Sequence, residues 1–529
     1  MPDATTTTPS SADRHLVATI GKGTIFGTLA NLTQAGTRLV MVPIVIHHLG
    51  LGGYGIWSIV MATAGYMRFG TAGVKSAFQK YVAEATGKGD FATANKLLST
   101  GSLCMLMLSV AGLIPLAMYS QRLARASGVP PHFLNAAAGS ITLLAVVMVI
   151  SNFGAVFEAI VMGGHRIDLT RKFIIVTTIG DAAAIIAFLH FGYGLLSMAV
   201  IIAISELAYI SCCFVASRRV VPEVRISVKS FTSSVFRELI RYAGSYQLVN
   251  ILEVLYGMLI PVTILKYFGA ESAGVYAVVN KLVGAALMGQ DALILPLLSG
   301  GTLIFASGSA GRIRRFFRNS FKTTLAVTLL PLAFLAAFGT LLVFAWTGQA
   351  GPEFRMTMWL CCLGGLFGAV SRLQLILYRA SGKTLHDNIR QAFRLGVLGV
   401  LACLGRILGF YGVLAGLVAT EFAGVVYMFF AMTQEVRHFS LRMLIPDNLR
   451  VTAATVLTIA AGLLAALLPV PWGAKERTIA VVKLGEVSLA CLMAALPALG
   501  LTGSVSREEQ RTALHLLVPW RKRAPATNI

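Results

Sequence analysis

Charged residues are scarce in this sequence. Only 12% of its 529 residues are Asp, Glu, Lys or Arg, whereas about a quarter are charged in a typical soluble domain. Apolar residues make up 56% of the chain, and the mean hydropathy is +0.76. A chain of this composition cannot cover its surface with polar groups. This excludes a soluble protein and makes the lipid bilayer its solvent.

Acidic residues are scarcer than basic ones. The chain has 22 Asp and Glu against 44 Lys and Arg, which gives a formal net charge of +22. In a soluble domain this excess would indicate nucleic acid. In a membrane protein it indicates basic loops on the cytoplasmic side and an anionic partner. We therefore expect no nucleic acid among the partners.

Catalytic and metal-binding motifs are also missing. The sequence has no D-x-D, G-x-S-x-G or H-E-x-x-H, and its seven cysteines lie in apolar runs and never form C-x-x-C. The Gly-Lys-Thr at 382–384 is not a P-loop, because Leu377 stands where the earlier glycine is required. These absences exclude ATP hydrolysis and predict a protein that is not an enzyme and binds no cofactor or metal.

Apolar runs long enough to cross a bilayer recur along the chain. A membrane-spanning helix needs about 20 mainly apolar residues. The sequence predicts an all-α polytopic membrane protein with about 14 transmembrane helices, at 24–46, 54–77, 97–119, 136–162, 173–190, 194–216, 242–265, 273–299, 323–346, 356–380, 392–409, 411–432, 451–470 and 479–501.

The charges of the loops alternate between the two sides of the membrane. Three cations, Arg379, Arg394 and Arg406, lie at the ends of their spans and are counted with the loops. On this count 31 of the 44 cations fall on the side that carries both termini, seven fall on the other side and six lie deeper within the predicted spans. Cytoplasmic loops are the ones enriched in Lys and Arg. We therefore predict a multi-pass protein of the cell inner (cytoplasmic) membrane with both termini in the cytoplasm.

Two halves of the chain resemble each other at an offset of about 219 residues. Gly50 and Gly55 align with Gly269 and Gly274, and six is an even number of crossings, so the halves are predicted to be parallel six-helix repeats. The expected segments are a disordered N-terminus (1–20), an N-terminal bundle (21–216), a cytoplasmic amphipathic linker (217–241), a C-terminal bundle (242–440), two extra helices (441–503) and a basic tail (504–529).

Polar residues form stripes on the first two helices of each predicted repeat. Such stripes are costly in lipid, so they predict a water-filled cavity at the repeat interface with cations on its wall. The candidate substrate-binding residues are Arg38, Arg68, Lys75, Lys281, Asn31, Gln34 and Asn250. The alternative for each charge is an internal ion pair, such as Lys281 with Glu253, or a side chain that reaches to the membrane interface.

Transport driven by an ion needs a carboxylate that faces the cavity. Glu253 and Asp291 are the candidates for ion coupling. Glu253 is favoured because its counterpart in the first repeat, Gln34, is neutral. Glu206 and Glu421 lie outside any stripe. Each of them either binds a proton or sodium ion or has a role in packing.

Three segments carry a resemblance to a known family. LGLGGYGIW (49–57) is similar to the L-G-x-x-x-Y-G opening of helix 2 in polysaccharide/oligosaccharide flippases. Residues 73–80 resemble that family's D-x-G-L-x-x-A-x-x-R run, and FGAESAGVYAVVNKL (268–282) resembles its helix 8, with Lys281 at the usual basic position. The family belongs to the multidrug/oligosaccharidyl-lipid/polysaccharide exporter superfamily. The resemblance covers roughly residues 15–440.

Two positions depart from the family pattern, because Thr71 replaces its helix 2 aspartate and Lys80 its arginine. The resemblance implies a flippase of the O-antigen type that moves a polyprenyl-diphosphate-linked oligosaccharide to the periplasmic leaflet by alternating access. It implies membrane lipids and polysaccharide assembly proteins as partners. The alternatives are an ion-coupled drug or cation antiporter of the same fold, or an integral membrane glycan polymerase or ligase.

Overall fold

The computed structural model describes residues 11–65, 71–227, 230–306, 309–380, 385–435, 442, 444–468 and 476–502. Within these ranges the regular structure is helical, and the chain is an all-α protein. The helices are α1 (Ser11–Gly65), α2 (Thr71–Lys88), α3 (Phe91–Ala126), α4 (Pro131–Gly163), α5 (Ile167–His190), α6 (Leu195–Val220), α7 (Ser233–Ala306), α8 (Ala310–Thr347), α9 (Pro352–Ala380), α10 (Leu385–Glu435), α11 (Ile445–Ala466) and α12 (Glu476–Leu501).

Eleven of the described helices are long and apolar enough to cross a membrane. This confirms the predicted fold class, a multi-pass α-helical membrane protein. Three of them, α1, α7 and α10, contain one glycine with a non-helical backbone: Gly50, Gly269 and Gly409, with φ of 73°, 84° and 69°. Such positive φ values are easy only for glycine. The breaks fall where the sequence predicts boundaries between helices, while the number of fourteen spans stays a prediction.

The N-terminal boundary differs from the prediction. Residues 11–20, expected to be disordered, form the start of α1, and residues 1–10 lie outside the described part. Pro9 is the last proline before Pro43, so no residue after Pro9 interrupts the helix that extends back from the first apolar run.

The predicted linker is helical only in part. Residues 217–220 complete α6, residues 221–227 are not helical, and α7 begins at Ser233. Polar side chains of α3 hold the non-helical stretch. The Asn95 amide donates to the Glu223 carbonyl oxygen at 3.2 Å and accepts from the Arg225 N–H at 2.9 Å, and the Ser99 hydroxyl accepts from the Ser227 N–H at 3.1 Å. A segment without helical hydrogen bonds therefore satisfies its backbone on a neighbouring helix.

The helices group into two compact units, Met1–Ala277 with Gln391–Phe410, and Val278–Arg390 with Tyr411–Ile529. These units differ from the predicted bundles because residues 391–410 pack on the early part of α7. The Arg394 guanidinium lies 4.0 Å from the centroid of the Tyr256 ring, and the Phe268 and Phe410 rings are 5.6 Å apart. The division into two six-helix repeats stays a prediction.

In the first unit, α2, α3 and α4 share a core that includes the fully buried Val82, Leu98 and Val156. Asp90 caps the N-terminus of α3 by accepting from the Thr93 N–H at 3.1 Å. The hydrogen bonds from the Thr93 side chain and backbone lower the pKa of Asp90 from its ordinary value. This cap fixes where α3 begins.

The two repeat-related glycine segments meet within the first unit. A Cβ on Gly55 would lie 2.6 Å from both the Ala270 carbonyl oxygen and the Gly274 nitrogen, and a Cβ on Gly274 would collide with Leu51. Only residues without a side chain permit this approach. The glycines that align at an offset of 219 therefore also face each other across a helix contact.

In the second unit, the two C-terminal helices pack against α8. Phe338 of α8 is buried with Val487 and Cys491 of α12. The Arg477 guanidinium donates to the carbonyl oxygens of Ala345 (3.2 Å) and Trp346 (2.8 Å) near the end of α8. Helices α11 and α12 are thus packed parts of the second unit.

Candidate functional site

The α1 segment before Gly50 carries three of the residues predicted to bind substrate, Asn31, Gln34 and Arg38. Asn31 and Arg38 are exposed and Gln34 is half-buried, and the segment is helical throughout. The same segment also exposes four large apolar side chains, Ile25, Leu29, Leu32 and Val40. At 100° per residue, the apolar set and the polar set are centred roughly 165° apart on the helix.

One helix with two opposite exposed faces needs two different environments. The apolar face suits lipid, whereas an exposed arginine in an apolar span is stable only against water or polar protein groups. α1 packs on α4 and α5, and its polar face is left uncovered by them. The spacing of i, i+3 and i+7 therefore produces the polar stripe that the sequence predicts.

The other predicted cations are only partly described. Arg68 lies outside the described residues. Lys75 of α2 and Asn250 of α7 have a helical backbone, and their side chains lie outside what the structure describes. Lys281, on α7 after Gly269, is half-buried and belongs to the second unit. The arrangement of the four cations around one cavity therefore stays a prediction.

The two candidate coupling carboxylates have different surroundings. Glu253, on α7 before Gly269, is exposed. Asp291 accepts a hydrogen bond from the Arg372 guanidinium at 3.3 Å, and both side chains are partly exposed. Arg372 already occupies one side of Asp291, so any ion that Asp291 binds has to compete with this guanidinium.

The second unit holds a buried ion pair. Nη2 of Arg390 donates to Oε2 of Glu421 at 3.4 Å, with 2% and 9% of the two side chains exposed. Two glycines lie beside the pair: a Cβ on Gly424 would be 3.5 Å from the Arg390 Nε, and one on Gly368 would be 3.8 Å from the Glu421 Oε2, both ordinary van der Waals distances. Of the two roles that the sequence left open for Glu421, this geometry favours packing.

The first unit contains a cluster of polar side chains that the sequence analysis does not predict. The Ser151 hydroxyl of α4 donates to the Glu206 carboxylate of α6. Asp181 of α5 lies near both Ser205 and the Glu206 carboxylate. These residues form no stripe along one helix, so only the packing of three helices reveals the group.

One known protein family and several solved structures are similar to this chain. A family model described as "Polysaccharide biosynthesis protein" matches residues 20–299, which is more than half of the chain. Among curated proteins, none matches the sequence significantly.

Several solved structures with a similar fold are described as a flippase or as transporters. The lipid II flippase MurJ, in an inward closed conformation, has a TM-score of 0.66 at 14% identity, covering 89% of this chain and 98% of its own. An inward-facing multidrug resistance transporter of the MATE family in the MOP superfamily has 0.59 at 13%, covering 79% and 98%. A MOP superfamily transporter from Pyrococcus furiosus, with a binding pocket of reversed polarity, has 0.55 at 14%, covering 79% and 94%. At these identities the similarity establishes the fold alone.

Proposed function

Because the chain belongs to the polysaccharide biosynthesis protein family, we propose that it is a flippase that exports a lipid-linked sugar precursor. The substrate is a polyprenyl-diphosphate-linked oligosaccharide, a polysaccharide repeat unit. The protein moves it from the cytoplasmic to the periplasmic leaflet by alternating access and makes or breaks no covalent bond. The location is the inner membrane, with both termini cytoplasmic, and polysaccharide assembly proteins are the expected partners beside membrane lipids.

The observation that carries this proposal is that α1 has a polar face and an apolar face on opposite sides. Its polar face exposes Arg38 with Asn31 within a helix whose opposite face is apolar. A cation with neighbouring amides is suited to an anionic head group, because a guanidinium can donate two parallel hydrogen bonds to a phosphate. The apolar side can meanwhile stay in contact with lipid, as a lipid-linked substrate requires.

In the proposed mechanism, Arg38, Arg68, Lys75 and Lys281 recognise the diphosphate, and Asn31, Gln34 and Asn250 contact its polar surroundings. Charge-assisted hydrogen bonds to phosphate contribute roughly 1.5–3 kcal/mol each. Each lost cation is therefore expected to lower affinity about tenfold to a hundredfold.

If an ion gradient drives transport, the ion-binding residue is a carboxylate that the ion can reach. Glu253 is the first candidate because it is exposed and its repeat counterpart is neutral. Asp291 is the second, since its pair with Arg372 would have to open.

A drug or cation antiporter is the second candidate function. The observation that supports this alternative is the similarity of the fold to a multidrug resistance transporter. Such a protein needs a cavity dominated by carboxylates, whereas the described stripe on α1 carries a cation. A glycan polymerase or ligase ranks third, because the sequence offers no external loop longer than about 15 residues for a catalytic domain.

The test compares Arg38→Ala with Arg38→Lys. The alanine variant is expected to block surface polymer and leave the lipid-linked precursor in the cytoplasmic leaflet. The lysine variant is expected to be milder, because the charge survives although the bidentate geometry is lost. Arg122→Ala is the matched control, because Arg122 is an exposed arginine near the end of α3, outside the stripe.

Membrane abundance and precursor leaflet are measured together. Lower abundance that is restored by neutralising a partner carboxylate would indicate an ion-pair role for Arg38 instead. Normal abundance and normal surface polymer in a variant that lacks all four cations would end the flippase proposal.

A further inference from the structure

A groove of about 710 Å³ lies between α5 and α6 in the first unit. Arg166 and Arg219 line the groove at the start of α5 and the end of α6, and this end is called its mouth below. Deeper along the same helices, Leu169, Phe173 and Val215 give it an apolar wall. The volume falls in the range of small-ligand sites, roughly 300–1,000 Å³.

The groove has a charged entrance and an apolar interior in a fixed order. From Arg166 to Phe173, and from Arg219 back to Ser211, the lining extends along the helices by about 10–12 Å at 1.5 Å per residue. A molecule that fits this order has an anionic head and an apolar chain that follows the helices into the membrane.

Charge at the mouth is predominantly positive. Arg219 makes no ion pair within the part of the chain that the structure describes. Arg166 donates two N–H groups to Asp168, at 3.1 and 3.5 Å, and Lys172 contacts the same carboxylate at 3.4 Å. A guanidinium has five N–H donors, so Arg166 is oriented by Asp168 and still has donors for a second acceptor.

We propose that this groove binds an anionic phospholipid of the leaflet that the charge distribution predicts to be cytoplasmic. The headgroup phosphate lies between Arg166 and Arg219, and one acyl chain follows Phe173 and Val215. Basic pockets between membrane helices on the cytoplasmic side are suited to lipid headgroups. None of the residues that line the groove belongs to α1, which carries the polar stripe, and the site does not depend on the proposed transport substrate.

The experiment uses the full-length protein with Phe173→Trp as a reporter in the groove. Purified protein is reconstituted in phosphatidylcholine vesicles with increasing amounts of brominated phosphatidylglycerol, and separately of brominated phosphatidylcholine. Bromine quenches only tryptophan that it contacts, and the same titration with Phe173 present gives the background. Phosphatidylglycerol is expected to quench the reporter at a lower fraction than phosphatidylcholine.

Arginine variants test the headgroup site. Arg219→Gln is expected to lower the preference for phosphatidylglycerol about fivefold, since one basic residue near an anionic surface contributes about 1 kcal/mol. Arg166→Gln with Arg219→Gln is expected to abolish the preference. Arg218→Gln is the matched control: Arg218 is adjacent in sequence and lies over the Phe214 ring at 5.4 Å, outside the groove lining.

Three results would overturn the proposal: no preference for phosphatidylglycerol, an equal loss in Arg218→Gln and Arg219→Gln, or competition by millimolar inorganic phosphate. The second would indicate diffuse surface charge, and the third a phosphate site without a lipid. Should Phe173→Trp fail to accumulate, native mass spectrometry of the unmodified chain, Arg218→Gln and Arg219→Gln replaces it. Retained phosphatidylglycerol should then fall only in Arg219→Gln.

Discussion

At the scale of single residues, the buried pair of Arg390 and Glu421 allows a direct test of structural against transport roles. Removing one member of a buried ion pair costs about 3–5 kcal/mol, while replacing both with apolar residues of similar size is much milder. We predict that Glu421→Leu strongly lowers the melting temperature of the purified protein in detergent. Adding Arg390→Met should recover most of the loss.

The matched control is Glu253→Gln, which alters an exposed carboxylate. This variant should melt like the parent and, where transport is ion-coupled, lose the ion dependence. Equal melting temperatures for Glu421→Leu and the parent would contradict the packing role of Glu421 and return it to the candidates for coupling.

The ionisable residues within apolar runs could be recognised from the sequence, but their partners could not. Arg372, Asp291, Glu421 and Asp181 are conspicuous because any charge in an apolar run is costly. The partners are 81 residues apart for Asp291 with Arg372 and 31 apart for Arg390 with Glu421. Helical spacing contains no information on such pairs. Asp291 and Arg372 lie on different helices, α7 and α9, and Arg390 and Glu421 lie on opposite sides of the Gly409 break in α10.

At the scale of helices, the close contact between Gly55 and Gly274 predicts a severe effect of a single methyl group. Gly55→Ala would place its Cβ 2.6 Å from backbone atoms of Ala270 and Gly274. Overpacking of this kind typically costs 1–3 kcal/mol. We expect a clearly lower melting temperature and lower membrane abundance.

Gly36→Ala on the same helix is the control, because a Cβ there meets no atom within 4 Å. Alanine favours a helix over glycine, so this variant should be neutral or slightly more stable. Equal destabilisation by both changes would mean that helix α1 rejects any substitution and that the Gly55 contact has no special importance.

The glycine breaks show what the sequence does reveal about the elements. Gly50 and Gly269 were recognised as equivalent by their alignment, and both have the same non-helical conformation, with φ of 73° and 84°. The contact between the segments that follow them was not predictable, because an alignment relates two positions without placing them together. Helix ends near residue 220 were also misplaced, since the Asn95 hydrogen bonds that hold residues 223–225 are tertiary.

At the scale of the whole molecule, charge distribution predicts the orientation in the membrane. Helices that span the bilayer, such as α3 with 36 residues, extend about 54 Å and exceed the hydrocarbon core of roughly 30 Å. Their ends therefore project into water on either side, where loop charge is recognised during insertion. The 31 cations on one side against seven on the other assign the richer side to the cytoplasm.

Single cysteines in an otherwise cysteine-free full-length chain test this topology. Arg125→Cys and Gly351→Cys should react with a membrane-impermeant maleimide in cells whose periplasm is open to it. Lys88→Cys, Arg225→Cys and Arg315→Cys should react only after the inner membrane is permeabilised. The sites are distributed along the chain, so one misplaced crossing would shift every later site to the wrong side. Labelling of Arg225→Cys or Arg315→Cys in intact cells would therefore refute the predicted order of crossings, and with it the direction of transport inferred from the cytoplasmic charges.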